Sequence, residues 1–177
     1  MGRLDDLMWA RPDGHRLLVA GTEAAAAYVS GVYTFDEVVV GPLDARLEGR
    51  HLDLRATGLG IDLHLEGGRG IAVPWPRPAW FTRRVEGPIA RRLLGVRTYG
   101  VSPTGVEEWY RAVSYRRLVA GRASIDGRDL GALGDIDPPT GFGFSEPPRR
   151  PSMVGVHPLL RRPVTPAAAP PPRPGPG

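Results

Sequence analysis

Between Leu43 and Glu66, apolar and charged residues alternate almost without a break, in LDARLEGRHLDLRATGLGIDLHLE. A period of two marks strands with one face toward a core and one toward water. A two-residue loop at Gly49-Arg50 sets Leu47 against Leu52, Ala45 against Leu54, Glu48 against His51, Arg46 against Asp53 and Asp44 against Arg55. A second loop over residues 57–60 sets Ala56 against Ile61, Leu54 against Leu63 and Leu52 against Leu65. It also sets Arg55 against Asp62, Asp53 against His64 and His51 against Glu66. Apolar residues then meet apolar ones, and three rows of alternating charge appear: Asp44–Arg55–Asp62, Arg46–Asp53–His64 and Glu48–His51–Glu66. Opposed unlike charges stabilise a sheet by roughly 0.2–1 kcal/mol per pair. A slip of one residue would turn the leucines toward water. Both patterns predict one register for a three-stranded meander, with Leu47, Leu52, Leu54, Leu63 and Leu65 pointing into the core.

Around it, HRLLVAG predicts a short strand, and TEAAAAYVSG a short helix with Thr22 as N-cap and Gly31 as its stop. YTFDEVVVG and RTYGVS predict strands, and RGIAVP a further one before PWPRPAW. PIARRLLG predicts a two-turn helix, Pro88 at N1 and Gly95 beyond its end. Residues 105–120 fit two patterns. Thr104 and Glu107 have capping-box spacing, and Val106, Trp109, Tyr110 and Val113 share a helical face, which favours helix. Their aromatic and β-branched content suits a strand as well. ASIDGRDL predicts a hairpin tipped by Asp126-Gly127, and SMVGVH a last strand. The pattern predicts an α+β fold, mainly antiparallel β: a curled sheet or small open barrel with two or three short helices, enclosing an apolar pocket. Residues 1–14 read as an arm ending in a Pro-Asp-Gly turn, 15–157 as a single globular domain, and 158–177 as a proline-rich disordered tail.

Composition narrows the chemistry. All 23 basic residues are arginine, and the 177-residue chain has no lysine, asparagine, glutamine or cysteine. Such absences have the look of a GC-rich bacterial genome. They exclude Schiff-base lysine chemistry, thiolate nucleophiles, disulfides and cysteine-ligated metal. The pI near 10.1 suggests nucleic-acid binding at first sight. Of the net charge of +4, however, three arginines fall within residues 158–177, which leaves +1 for residues 1–157. A nearly neutral body has no strong positive field. The first residues lack the apolar core of a signal peptide, and no run is long enough to span a bilayer. A soluble, cytoplasmic protein without a membrane partner is expected.

Four groups of residues are candidates for function. On the meander, Asp53–His64 and His51–Glu66 have the form of an acid-oriented general base. Since every charge on that face has a mate and no nucleophile lies beside the histidines, a salt-bridge lattice is the favoured reading. Metal and cofactor sites are not expected. Arg83, Arg84, Arg91, Arg92 and Arg97, with Trp80 and the helix start at Pro88, form a candidate anion site or nucleic-acid surface. Arginines snorkelling over a half-buried segment are the plainer reading. Tyr99, Glu107, Glu108, Trp109 and Tyr110 can orient or protonate a small substrate, or simply form an interfacial cluster. The glycine- and phenylalanine-rich stretch 141–151 is expected to plug an open end of the sheet. Together these predict binding of a small apolar or anionic ligand, or of a protein partner, without catalysis. The alternative is a small cofactor-independent enzyme using carboxylate, histidine and tyrosine acid–base chemistry. Nucleic-acid binding through residues 77–97 ranks third.

Overall fold

The computed structural model describes residues 4–72 and 78–162. The expected tail beyond residue 162 lies outside the described residues. The described chain forms two sheets and two helical segments. Strands β1 (Asp6–Ala10), β2 (Arg16–Ala20) and β3 (Glu37–Val40) make a small sheet in the order β1-β2-β3. β1 and β2 are an antiparallel hairpin, so the expected N-terminal arm contains a strand, Asp6–Ala10, before its Pro-Asp-Gly turn. β2 and β3 are parallel, joined by helix α1 (Glu23–Ser30). Thr22 caps α1 as its composition predicts, the side chain accepting from the Ala25 N–H at 3.1 Å, and Gly31 ends it.

The larger sheet has seven strands and does not close on itself. It contains β4 (Leu43–Glu48), β5 (His51–Ala56), β6 (Ile61–Ala72), β7 (Tyr99–Val101), β8 (Glu107–Ile125), β9 (Arg128–Asp129) and β10 (Ser152–Arg161). The meander adopts the register that its alternation predicts in both hairpins, from Asp44↔Arg55 through Glu48↔His51 and from His51↔Glu66 through Ala56↔Ile61. Gly60 supports the second turn with a left-handed backbone, φ 59°.

Three expectations change. The stretch 105–120 is not a helix: residues 107–120 belong to β8, which is bonded along both edges. One edge carries β10 opposite Glu107–Arg117, and the other carries β7 and then β6, opposite Ser114–Ile125. Thr104 is no cap. Pro103-Thr104-Gly105 is a three-residue hairpin loop closed by the Ser102 N–H to the Val106 carbonyl at 2.8 Å, with Gly105 at φ 83°. RGIAVP is likewise no separate strand, because β6 runs on through an irregularity at Glu66 to Gly70 and ends at Ala72. β10 continues past Pro158, where the tail was expected to begin, to Arg161. As an edge strand it tolerates the missing N–H of proline.

The core forms on both faces of β2. Leu18 and Ala20 pack against Ala25, Ala26 and Val29 of α1, with Tyr33 and Phe35 closing the side. Leu17 and Val19 pack against Ala56 and Ile61, at the base of the meander, with Leu43, Leu59 and Ile125. The layers are thus α1, the small sheet and the base of the large sheet. Burial fades toward the Gly49-Arg50 tip. Leu54 is buried and Leu52, Leu63 and Leu65 are half-buried, but Leu47 is 60% exposed and does not reach the core as its register position suggested. None of the principal hollows among the described residues lies over the leucine face as the expected enclosed apolar pocket would.

Candidate functional site

The charged face of the meander is open to water. His64 Nδ1 lies 2.6 Å from Asp53 Oδ1, and Arg55 Nε lies 2.6 Å from Asp62 Oδ1. The longer side chains also reach along and across their expected rows. Arg46 turns to Asp44 at 3.4 Å, and Glu66 takes Arg50 at 3.0 Å. His51 sits exposed opposite Glu66. The side chains of His64 and Asp53 are each more than half exposed, which screens their attraction and gives neither a desolvated environment for proton transfer. The geometry is that of a surface lattice. Replacing His64 by Gln is therefore expected to change unfolding free energy by less than about 1 kcal/mol. Urea denaturation of the two proteins measures this; a larger loss would show that the pair carries more than a surface contact.

A second cluster is closed. Strand alternation on β8 sends Glu108 and Tyr110 to one face and Glu107 and Trp109 to the other. Glu108 is fully buried. Tyr110 donates its hydroxyl to Glu108 Oε2 at 2.5 Å, the Tyr33 hydroxyl bonds that of Tyr110, and Tyr33 lies 3.5 Å from the same carboxylate oxygen. Among the described residues, Glu108 Oε1 meets no donor. Burial pushes the Glu108 carboxyl above the usual carboxylate range, although both tyrosine hydroxyls pull it down. Burial also pushes the Tyr33 phenol up to about 12, and raises that of Tyr110 further with the help of its bonds to Glu108 and Tyr33. Phe144 covers the cluster, stacked on Tyr110 with centroids 5.4 Å apart and planes inclined by 12°. Gly100 leaves room for that ring, since a Cβ there would come within 2.1 Å of it. The loop is pinned by Phe142 against Phe35, by the Thr34 N–H to the Phe142 carbonyl at 2.9 Å, and by Glu146, whose carboxylate accepts from the N–H groups of Thr140 and Gly141. Residues 141–144 therefore plug this part of the sheet.

The arginine-rich segment makes an open cleft. Residues 79–94 form one helical run: α2 (Ala79–Phe81), a wide π-turn (Thr82–Glu86) and α3 (Gly87–Leu94). Pro88 opens the regular part of α3 and Gly95 ends it in the left-handed region, φ 73°. The expected helix start at Pro88 is not free, however, because the preceding turn already occupies it, with the Gly87 N–H bonded to the Thr82 carbonyl. An anion there would meet side chains rather than a helix terminus. The run is anchored by Thr82, buried, whose carbonyl accepts from Thr98 Oγ1 at 3.2 Å. Between the run and the approach to β7 lies a cleft of about 720 Å³, lined by Arg83, Arg91, Arg92, Arg97, Gly87, Pro88, Thr98 and Tyr99. The Arg83 guanidinium stands 4.8 Å above the Tyr99 ring, which leans on Trp109 at 5.1 Å. Arg161 covers Trp109 at 5.6 Å and binds Glu107 at 3.2 Å, and Glu107 also accepts from Tyr99 at 3.2 Å. Glu107 is thus already engaged by Arg161 and Tyr99.

Of the arginine candidates, Arg83, Arg91, Arg92 and Arg97 converge on the cleft, whereas Arg84 and Trp80 stay outside it. Glu108 and Tyr110 come together, but Tyr99 belongs to the cleft wall on the other face of β8. Tyr33 and Arg161 had no signal in the sequence: Arg161 meets Glu107 through sheet pairing, and Tyr33, in the connection after α1, reaches Glu108 and Tyr110 through tertiary packing. Among the described residues no group of three or more histidine, aspartate or glutamate side chains is arranged to hold a metal ion, and no helix is long and apolar enough to cross a membrane. Fold and site together define a mainly antiparallel α+β protein with an arginine-lined cleft on one side and a buried tyrosine–carboxyl cluster within. No family model matches the chain, and no curated protein or solved structure matches it.

Proposed function

We propose that the protein binds a compact, multiply charged anion of the phosphate class in the cleft between residues 83–92 and 97–99, without chemistry of its own. One observation carries this reading: four arginines and no carboxylate line one cleft. Among the described residues none of the four makes an ion pair that would neutralise it. Guanidinium groups present paired N–H donors that fit phosphate or carboxylate oxygens two at a time. Stacking Arg83 on Tyr99 holds one fork in place before a ligand arrives, which lowers the entropic cost of binding. The volume lies within the range of small-ligand sites. Convergence on a cleft, rather than spacing along a track, favours a compact anion over a nucleic-acid strand. Catalysis has less support, because the lining offers no carboxylate or histidine to move a proton.

Calorimetric titration with inorganic pyrophosphate tests the reading. Saturable binding that weakens with added salt is expected, with at least a tenfold loss in Arg91→Glu/Arg97→Glu. No binding, or binding untouched by that double reversal, would overturn it.

A further inference from the structure

The large sheet ends in two edges of different make. At β10 the pairing shifts between Gly155 and Val156, and Pro158 follows, so this edge carries irregularities that discourage a further strand. β4 carries neither: its pairing with β5 runs unshifted from Leu43 to Glu48, and among the described residues no strand lies along its outer side. The Thr57 N–H bonds the Pro42 carbonyl at 3.3 Å, which sets the alternation of this ladder. Asp44, Arg46 and Glu48 turn their backbone groups to β5, so Leu43, Ala45 and Leu47 turn theirs outward. The charges at this edge are also unclaimed by the rows behind them. His64 takes Asp53 and Arg55 takes Asp62, while Arg46 and Asp44, with side chains 70% and 69% exposed, turn to one another at 3.4 Å.

We propose that β4 pairs with β4 of a second copy of the chain, antiparallel about a two-fold axis at Ala45, joining the two large sheets into one. Charge selects this occupant. The free backbone groups belong to Leu43, Ala45 and Leu47, so these residues must face one another across the axis. Centring on Ala45 sets Asp44 against Arg46 of the second copy, on both sides of the axis, and Leu43 against Leu47. The row Asp62–Arg55–Asp44 then continues with alternating sign into Arg46–Asp53–His64 of the second copy. The next register that the backbone allows, in either direction, sets Asp44 against its own equivalent or Arg46 against its own. Like charges directly opposed destabilise a sheet. Apolar alternation and charge thus choose one pairing, as they do within the meander. Leu47, 60% exposed in the single chain, gains Leu43 of the second copy as a neighbour. The body comes close to this edge at Gly21, beside Leu43, and a glycine has no side chain to block a partner. No residue of the anion cleft takes part, so the inference stands apart from that reading.

Sedimentation equilibrium of the full chain over a range of concentrations tests it. The mean mass is expected to rise from the 19.1 kDa of one chain toward twice that value. Asp44→Arg and Arg46→Asp should each weaken association by about tenfold or more, because either one opposes like charges on both sides of the axis. Mixed in equal amounts, the two variants should recover it, since every pair across the axis then unites opposite charges. Both positions are exposed, so the fold should persist in each variant, and recovery in the mixture shows that it does. Ala45→Cys, in a chain without cysteine, gives a separate readout: oxidation should link two chains, the facing Cα atoms of such a pair standing about 5.5 Å apart. A single-chain mass at every concentration, association that neither charge variant weakens, or no recovery in the mixture would overturn the proposal.

Discussion

Glu108→Ala is expected to lower the unfolding free energy by about 2–4 kcal/mol, because it opens a void at a fully buried position and leaves two tyrosine hydroxyls without their acceptor. Glu108→Gln keeps the shape and should cost less. The two variants also differ in what they reveal about pH. Burial holds the Glu108 carboxyl above its ordinary value of 4.5, so the folded chain binds this proton more tightly than the unfolded chain does. Its contribution is fully present below 4.5 and is lost as pH rises through the raised value. Subtracting the stability of Glu108→Gln from that of the wild type should therefore give a difference that falls with rising pH in this window and then levels. Urea unfolding at a series of pH values measures it; a difference that rises instead would mean that the tyrosine hydroxyls, not burial, dominate. Tyr33 extends the same logic to alkali. Its contribution is kept below pH 10 and lost as pH rises through about 12.

Leu18→Ala is expected to be at least as damaging, at about 2–5 kcal/mol. Leu18 is fully buried between β2 and α1, and its cluster includes Tyr33, the residue that ties the end of α1 to β8. Equilibrium denaturation gives the loss directly. Near-ultraviolet circular dichroism should report loosened tyrosine packing in the same variant. A cost below 1 kcal/mol, or an unchanged aromatic signal, would show that the helix and small sheet carry little of the stability.

The meander was legible because two independent patterns, leucine alternation and charge complementarity, select the same register, and each would be broken by the same slip. The α1 cap was legible for a local reason too, the Thr22 hydroxyl being within reach of its own turn. β8 was not. Its capping-box spacing and its apolar residues at helical intervals are satisfied by a helix on paper, and only hydrogen bonding along both edges, to segments far away in sequence, makes it a strand. The limits at the candidate sites have the same origin. The arginines of the cleft announce themselves by density within residues 83–97, whereas Tyr33 joins Glu108 and Tyr110 across 75 and 77 residues of sequence. Burial misled in one place: Leu47 keeps the alternation but sits at a hairpin tip that nothing covers.

The anion cleft is tested most directly by following the side-chain Nε–Hε resonances of a ¹⁵N-arginine-labelled protein during titration with pyrophosphate. The account predicts saturable shifts at Arg83, Arg91, Arg92 and Arg97, with Arg46 and Arg55 of the charged face unmoved at the same concentrations. Shifts spread evenly over the exposed arginines, or confined to the meander, would contradict it.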